Sequence, residues 1–192
     1  TVIGSATVAA DGTWSVTPIN AMAEGSHTIN ISASDALGNE SAKTANFTFT
    51  VDTTAPVAPT TAAASYKDDV GAVQNAASTA ASTDDNRPGI NVGKSLTDTP
   101  SLYVDGVKVN ATYDAVAGTL TPDAAVADGL RKFTYTLTDK AGNESGQSPV
   151  QSFTIDTTAP AVLTNVVATD DVAPQTGTIN AGDFTNDTKP TF

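Results

Sequence analysis

The residues best suited to chemistry in this 192-residue chain are its carboxylates. Only Glu24, Glu40 and Glu144 among the 21 acidic residues are glutamate; the rest are aspartate, and with 9 basic residues the net charge is −12. Aspartate favours turns and caps, and carboxylate oxygens are ligands that hard cations such as Ca²⁺ prefer. Because phosphate binding needs a basic face, we expect no nucleic-acid partner. The chain has no cysteine, which excludes disulfide and thiolate chemistry.

Several of these aspartates recur at a fixed spacing. The segment 35–41, Asp-Ala-Leu-Gly-Asn-Glu-Ser, returns at 139–145 as Asp-Lys-Ala-Gly-Asn-Glu-Ser, and Val-Asp-Thr-Thr-Ala-Pro at 51–56 returns at 155–160 with isoleucine first. Both offsets are 104 residues, and further acidic blocks return at 102. We predict a tandem array of repeats, joined to one another by a short, stiff linker at Thr-Thr-Ala-Pro. Its parts are the C-terminal part of one repeat (1–56), a complete repeat (57–160) and the N-terminal part of the next (161–192).

The hydrophobic pattern within the repeat has the period of β-strands. Phe133, Tyr135 and Leu137 alternate with threonines, as expected for strands with one buried face. Asp105-Gly106 between two alternating stretches is a strong hairpin signal. Seven or so short strands in about 100 residues are typical of an immunoglobulin-type sandwich. The predicted fold class is therefore all-β, with tandem immunoglobulin-like β-sandwich domains and a long loop at 71–83.

Sandwich topology gives the aspartates positions. Since neighbouring strands alternate in direction, the turn 139–143 before the last strand should lie at the leading junction, where the chain arrives from Asp52. The loop after the first strand should lie at the trailing junction near Asp156, and it carries Asp68, Asp69, Asp84 and Asp85. Two carboxylates about 4 Å apart repel by about 4 kcal/mol at a half-buried interface. We therefore predict Ca²⁺ at these junctions; the alternative is that each aspartate only caps a turn.

Other chemistry has little support in the sequence. The single histidine, His27, opens an alternating strand and is expected at the surface. Glycoside cleavage by paired carboxylates needs an aromatic-lined cleft, whereas the few aromatic residues, Trp14 included, are expected in the core. We predict that the chain is not an enzyme and, lacking a run of 18 apolar residues, does not insert into membranes. An exposed aromatic cluster would indicate glycan binding; the candidates are Tyr66, Tyr103 and Tyr113.

Four motifs carry a family resemblance. They are Asp-Gly-Thr-Trp (11–14), Asp-Ala-Leu-Gly-Asn (35–39), Val-Asp-Thr-Thr-Ala-Pro (51–56) and Asn-Asp-Thr-Lys-Pro (186–190). Together they resemble the bacterial immunoglobulin-like repeats of giant type I-secreted adhesins. The resemblance covers essentially the whole chain.

This resemblance implies a secreted, cell-surface, elongated rod stiffened by Ca²⁺ at its domain junctions. The implied partners are neighbouring Ig-like repeats of the same chain and, through the parent protein, host-cell surface glycans. The implied metal ligands are Asp52, Asp139 and Asn143 at the leading junction; Asp68, Asp69, Asp85 and Asp156 at the trailing junction; and the repeat equivalents Asp35, Asp170, Asp171 and Asp187. Two alternatives stay open, a glycan-binding Ig-like module of a secreted protein and an accessory domain of a secreted glycosidase.

Overall fold

The computed structural model describes residues 1–164, 166–174 and 176–192, and β-strands are the regular secondary structure of this part of the chain. The chain divides into two compact units, Thr1–Thr157 and Thr158–Phe192. The all-β prediction is confirmed. The strands of the first unit are β1 (Gly25–Ile29), β2 (Phe47–Val51), β3 (Tyr66–Asp68), β4 (Asn75–Ser78), β5 (Ser82–Thr83), β6 (Gly89–Asn91), β7 (Thr99–Val104), β8 (Val107–Val109), β9 (Ala111–Asp114), β10 (Thr119–Pro122), β11 (Gly129–Thr138) and β12 (Gln151–Ile155).

The ten strands from β3 to β12 form two five-stranded sheets. One sheet has the order β4-β3-β6-β10-β9 and the other the order β5-β12-β11-β7-β8. All pairings are antiparallel except that between β5 and β12, where Ile155 lies opposite Thr83. The chain thus crosses from one sheet to the other between β4 and β5, so that the stretch just before Asp85 runs beside the last strand of the repeat.

The core of the sandwich is small and rich in aromatic residues. Phe153 of β12 stacks on Tyr66 of β3 at 4.0 Å between ring centroids and on Phe133 of β11 at 4.7 Å. Burial of apolar area is the main favourable term in folding such a domain, and aromatic rings supply much of it here. The buried apolar residues are Ala63, Tyr66, Ile90, Val92, Leu102, Leu120, Phe133, Tyr135, Phe153 and Ile155.

The predicted hairpin at Asp105-Gly106 is present. Val104 pairs with Val107 and Leu102 with Val109 across a two-residue turn. Asp105 and Gly106 have φ values of 52° and 83°, the left-handed conformation at both central positions that a type I′ turn requires. The sequence signal works because few residues other than glycine, asparagine and aspartate tolerate this geometry.

Two expectations about strands were wrong in detail. The stretch 71–83, expected as a loop, contains β4 and β5, because its small polar residues pair with β3 and β12 despite their weak strand preference. On β11 the alternation is incomplete, since Thr134 and Thr136 are 8% and 2% exposed and therefore buried, as Phe133 is. Their hydroxyls donate to Gln147 Oε1 and Glu144 Oε1, which satisfies them on the outer face of the sheet.

Residues 1–56 contribute a separate hairpin to the first unit. Here β1 pairs with β2, with Gly25 opposite Val51 and Ile29 opposite Phe47. Trp14, expected in a core, is 51% exposed, and Phe47 is 63% exposed. The two-stranded sheet offers no second layer to cover these rings.

The second unit contains β13 (Ala168–Asp170) and β14 (Gly177–Ile179), which pair antiparallel with Ala168 opposite Ile179. Thr169 also bridges to Thr191, so the end of the chain lies beside β13. Its acidic residues repeat an arrangement found in the first unit, described below.

Candidate functional site

The turn at the leading junction is organised by one carboxylate. Asp139 Oδ1 accepts the backbone N–H groups of Ala141, Gly142 and Asn143 at 2.8–2.9 Å, and its Oδ2 accepts the side-chain amide of Asn143 at 2.9 Å. These donors, the Asn143 side chain foremost, hold the pKa of Asp139 below its usual value. The negative charge of Asp139 is therefore already solvated by four N–H groups.

The same asparagine reaches the preceding repeat. Asn143 Nδ2 donates to the backbone oxygen of Asp52 at 3.0 Å, across 91 positions of sequence. The predicted proximity of the turn 139–143 to Asp52 is thus present in the structure. The contact is made by a neutral amide and a main-chain carbonyl, while the exposed Asp52 carboxylate accepts the Thr54 amide at 3.1 Å.

The first repeat carries an equivalent turn. Asp35 Oδ1 accepts the amides of Leu37 and Asn39 at 2.9 Å, and Asn39 Nδ2 donates to Asp35 Oδ2 at 2.7 Å. Asn39 is again the main cause of a lowered pKa, here of Asp35. Two turns from one sequence pattern therefore have one geometry, in which the aspartate acts as the turn former.

At the trailing junction the acids form an interlocked network centred on a threonine. The Thr83 hydroxyl donates to Asp68 Oδ2 at 2.7 Å and accepts the Asp85 amide at 3.0 Å. Asp156 joins through its backbone N–H, which donates to Thr83 O at 2.9 Å. Asp68, Thr83 and Asp85 are all buried. The predicted grouping of these aspartates is present, and a threonine that the sequence analysis did not single out connects them.

Asp85 is the unusual member of this network. Its side chain is 2% exposed, its Oδ1 accepts the Arg87 amide at 2.7 Å, and its Oδ2 is buried without a hydrogen-bond partner among the described residues. Burial raises the pKa of Asp85, and the carboxylates of Asp69 and Asp68 raise it further, against the opposing effect of the Arg87 and Asp69 amides. Asp69 itself is exposed and pairs with Lys67 at 2.5 Å.

The second unit repeats the core of this network, the bonds that the threonine makes to the two aspartates and the backbone bond to the second aspartate. Thr185 donates to Asp170 Oδ2 at 2.6 Å and accepts the Asp187 amide at 2.9 Å, while Asp187 Oδ1 accepts the Lys189 amide at 2.7 Å. The Asp171 N–H donates to Asp187 Oδ2 at 3.5 Å, so this oxygen has a partner that its equivalent, Asp85 Oδ2, lacks within the described part of the chain. The sequence equivalents at offset 102 are therefore structural equivalents as well.

The two junction sets differ in how well they fit a cation. In the described part of the chain, no three His, Asp or Glu side chains converge in a geometry that could hold a metal. Asp139 at the leading junction already accepts three N–H groups at Oδ1 and one at Oδ2. The trailing set has the donor chemistry that a hard cation such as Ca²⁺ prefers, because it offers carboxylate oxygens, one of which, Asp85 Oδ2, is buried and unpartnered.

Two further acids at the linkers were missed by the sequence analysis. Glu24 accepts the Thr53 amide at 2.8 Å and the Thr53 hydroxyl. Asp128 likewise accepts the Thr157 amide at 3.2 Å and its hydroxyl at 2.9 Å. The signal was available, since Ala-Glu-Gly at 23–25 and Ala-Asp-Gly at 127–129 are 104 positions apart.

The aromatic candidates do not form a cluster suited to glycan stacking. Tyr66 is 1% exposed and belongs to the core, which overturns its place among the exposed candidates. The hydroxyl of Tyr103 donates to Glu144, and that of Tyr113 donates to Gly93 O. His27 lies half-buried on β1, with Nε2 2.7 Å from Ala23 O.

Comparison with known families identifies the chain. It matches the sequence profile described as bacterial Ig-like domain over residues 1–53 and 57–157, and it therefore belongs to that family. Domains of this family are typically extracellular or surface-exposed and non-catalytic, and they serve as structural repeats of surface proteins. No curated protein matches the chain. The described residues include no helix that could cross a membrane.

Proposed function

We propose that this chain is a spacer segment of a bacterial surface adhesin, similar to the giant type I-secreted non-fimbrial adhesins, in which stiffly joined Ig-like repeats hold a host-binding region away from the cell. The observation that carries the proposal is the bond from Asn143 of the complete repeat to the backbone of Asp52 in the preceding one. A flexible tether would have no such contact, whereas a rod needs its repeats to touch.

Ca²⁺ at the trailing junction is the second part of the proposal. Asp68, Asp69, Asp85 and Asp156 would hold it, and the bound ion would supply the positive charge that a buried carboxylate with acidic neighbours lacks. Support comes from the unpartnered Asp85 Oδ2 and from the pKa of Asp85, which burial, and after it the neighbouring carboxylates of Asp69 and Asp68, raise above its usual value. Asp139 already accepts four N–H groups, so the trailing set carries the proposal, and the leading-junction ligands implied by the family resemblance stay a prediction.

Calorimetry of the full chain tests the calcium site. An ion that binds only the folded state at about 100 times its Kd adds about 2.7 kcal/mol to stability. We expect millimolar Ca²⁺ to raise the wild-type Tm relative to chelator and Asp85→Asn to lose most of that rise. Asp123→Asn, which changes an exposed aspartate bonded to Thr112, is the control and should respond like wild type. Equal wild-type Tm values in chelator and in Ca²⁺ would refute the proposed calcium site.

The spacer role has its own test. We expect the isolated chain to bind no host glycan on an array, because adhesion belongs to another part of the parent protein. Binding that disappears in Trp14→Ala would instead assign the chain to the glycan-binding modules, since Trp14 is the one tryptophan and is half exposed.

A further inference from the structure

Each linker begins with a threonine held by a carboxylate of its own repeat. At the first linker, Thr53 donates both its amide and its hydroxyl to Glu24 Oε1. At the second, the Thr157 amide donates to Asp128 Oδ2 at 3.2 Å and its hydroxyl to Asp128 Oδ1 at 2.9 Å. The Thr53 hydroxyl is the main cause of a lowered pKa at Glu24, so the acceptor is ionised and the bonds are charge-assisted. We call this arrangement the acid–threonine clasp.

The backbone places the acid of the clasp in the same way in both repeats. Gly25 and Gly129, which follow the two acids, begin β1 and β11 and have φ values of 112° and 116°. Gly25 lies opposite Val51 and Gly129 opposite Ile155, the last residues of β2 and β12. The acid therefore stands just beyond the end of the neighbouring strand, where the chain leaves the sheet. The positive φ of the glycine turns the preceding acid toward the end of the neighbouring strand. Glycine suits this position because residues with a Cβ atom rarely adopt a positive φ.

The first linker is also held from the following repeat. Asn143 Nδ2 donates to Asp52 O at 3.0 Å, next to the clasped Thr53. Two consecutive residues at the start of the linker are thus bonded to opposite repeats: Thr53 to Glu24 and Asp52 to Asn143. The proline at position 56 restricts the backbone just beyond them. Few free torsions remain between the two bonds.

We infer that the acid–threonine clasp, together with the Asn143 bond, is a metal-independent lock that fixes the direction in which the chain passes from one repeat to the next. The lock uses only groups of this chain, so it operates whether or not Ca²⁺ occupies the trailing site.

Electron–electron distance measurements across the first joint test the lock. The chain has no cysteine, so Ser26→Cys on β1 and Val116→Cys on the β9–β10 turn give two unique spin-label sites on either side of the linker. In chelator, we expect a narrow distance distribution for the otherwise wild-type chain and a clearly broader one for Glu24→Ala, Thr53→Val and Asn143→Ala. Thr48→Val, the same change on β2 at a position that pairs with Thr28 and not with the labelled residue, is the matched control and should leave the distribution narrow.

Amide hydrogen exchange gives a second, local readout. Glu24→Ala should speed exchange of the Thr53 amide at least tenfold and leave that of Thr157 unchanged, and Asp128→Ala should do the reverse. Unchanged exchange of the β1 and β2 amides in Glu24→Ala, and of the β11 and β12 amides in Asp128→Ala, shows that the sheet beside each clasp remains folded.

Failure of the lock and failure of the calcium proposal give different results. The lock is refuted if the wild-type distance distribution in chelator is already as broad as that of Glu24→Ala. It is also refuted if Glu24→Ala leaves the exchange rate of the Thr53 amide unchanged. The calcium site has its own readout, the Ca²⁺-dependent Tm that Asp85→Asn removes. If the wild-type chain keeps a narrow distance distribution in chelator but shows no Ca²⁺-dependent rise in Tm, the lock is supported and the calcium proposal is refuted.

Discussion

Replacing Thr83 by valine should remove the centre of the trailing network while keeping its shape. The side chain is 5% exposed, and its hydroxyl bonds Asp68 Oδ2 at 2.7 Å and the Asp85 amide at 3.0 Å. The substitution leaves a carboxylate oxygen and a backbone N–H without this partner in a buried site. Each such group costs about 1–3 kcal/mol, so we expect a loss of about 3 kcal/mol.

For a cooperative unit of about 100 residues, a loss of this size lowers Tm by about 15 °C. Chemical denaturation followed by circular dichroism measures the free energy, because the single tryptophan lies outside the complete repeat. Thr119→Val is the matched control, since Thr119 is 6% exposed on β10 and lies outside the network. A Thr83→Val protein no less stable than Thr119→Val would refute the view that the hydroxyl holds these two aspartates in place.

Two further predictions concern the core and its acid. Phe153→Ala should cost about 3–5 kcal/mol in denaturant melts, because Phe153 stacks between Tyr66 and Phe133; Phe47→Ala, at a 63% exposed ring, should cost far less, and similar costs would contradict the assigned core. Asp85 has a pKa raised by burial above its ordinary 3.8, so its contribution to stability is fully present below that ordinary value and is lost as pH rises through the higher folded pKa. In chelator, Asp85→Asn should therefore gain stability relative to wild type as pH rises above 3.8 toward the higher folded pKa. A stability difference that does not change with pH would show that Asp85 does not titrate abnormally.

The parts of the fold predictable from sequence were those set by local chemistry. Asp105-Gly106 specifies its turn because both positions need φ > 0, and the alternation at 133–137 marks a strand because one face is apolar. β4 and β5 were missed because Ala, Ser and Asn carry no strand signal; their pairing follows from the strands already beside them. Trp14 and Tyr66 were misplaced because a ring's burial depends on the second layer that covers it.

The site was predictable to a similar depth. Repeat spacing and strand direction placed Asp139 near Asp52 and Asp68 near Asp85, since topology alone decides which loops share an end of a sandwich. The turn pattern shared by 35–39 and 139–143 indicates that Asp139 bonds the N–H groups of its own turn. The unpartnered oxygen of Asp85 was beyond the sequence, because it depends on how the buried network packs. The clasp acids were missed because glutamate in one repeat and aspartate in the other hide the correspondence.

The acceptor chosen by Asn143 has a consequence for how such a protein can change length. The oxygen belongs to the main chain of residue 52, and every amino acid supplies one, while each clasp is contained within a single repeat. A newly duplicated unit would therefore find its contacts ready on either neighbour, with no compensating substitutions. Units of this kind are interchangeable, and the length of the molecule can change in evolution by the gain or loss of whole repeats.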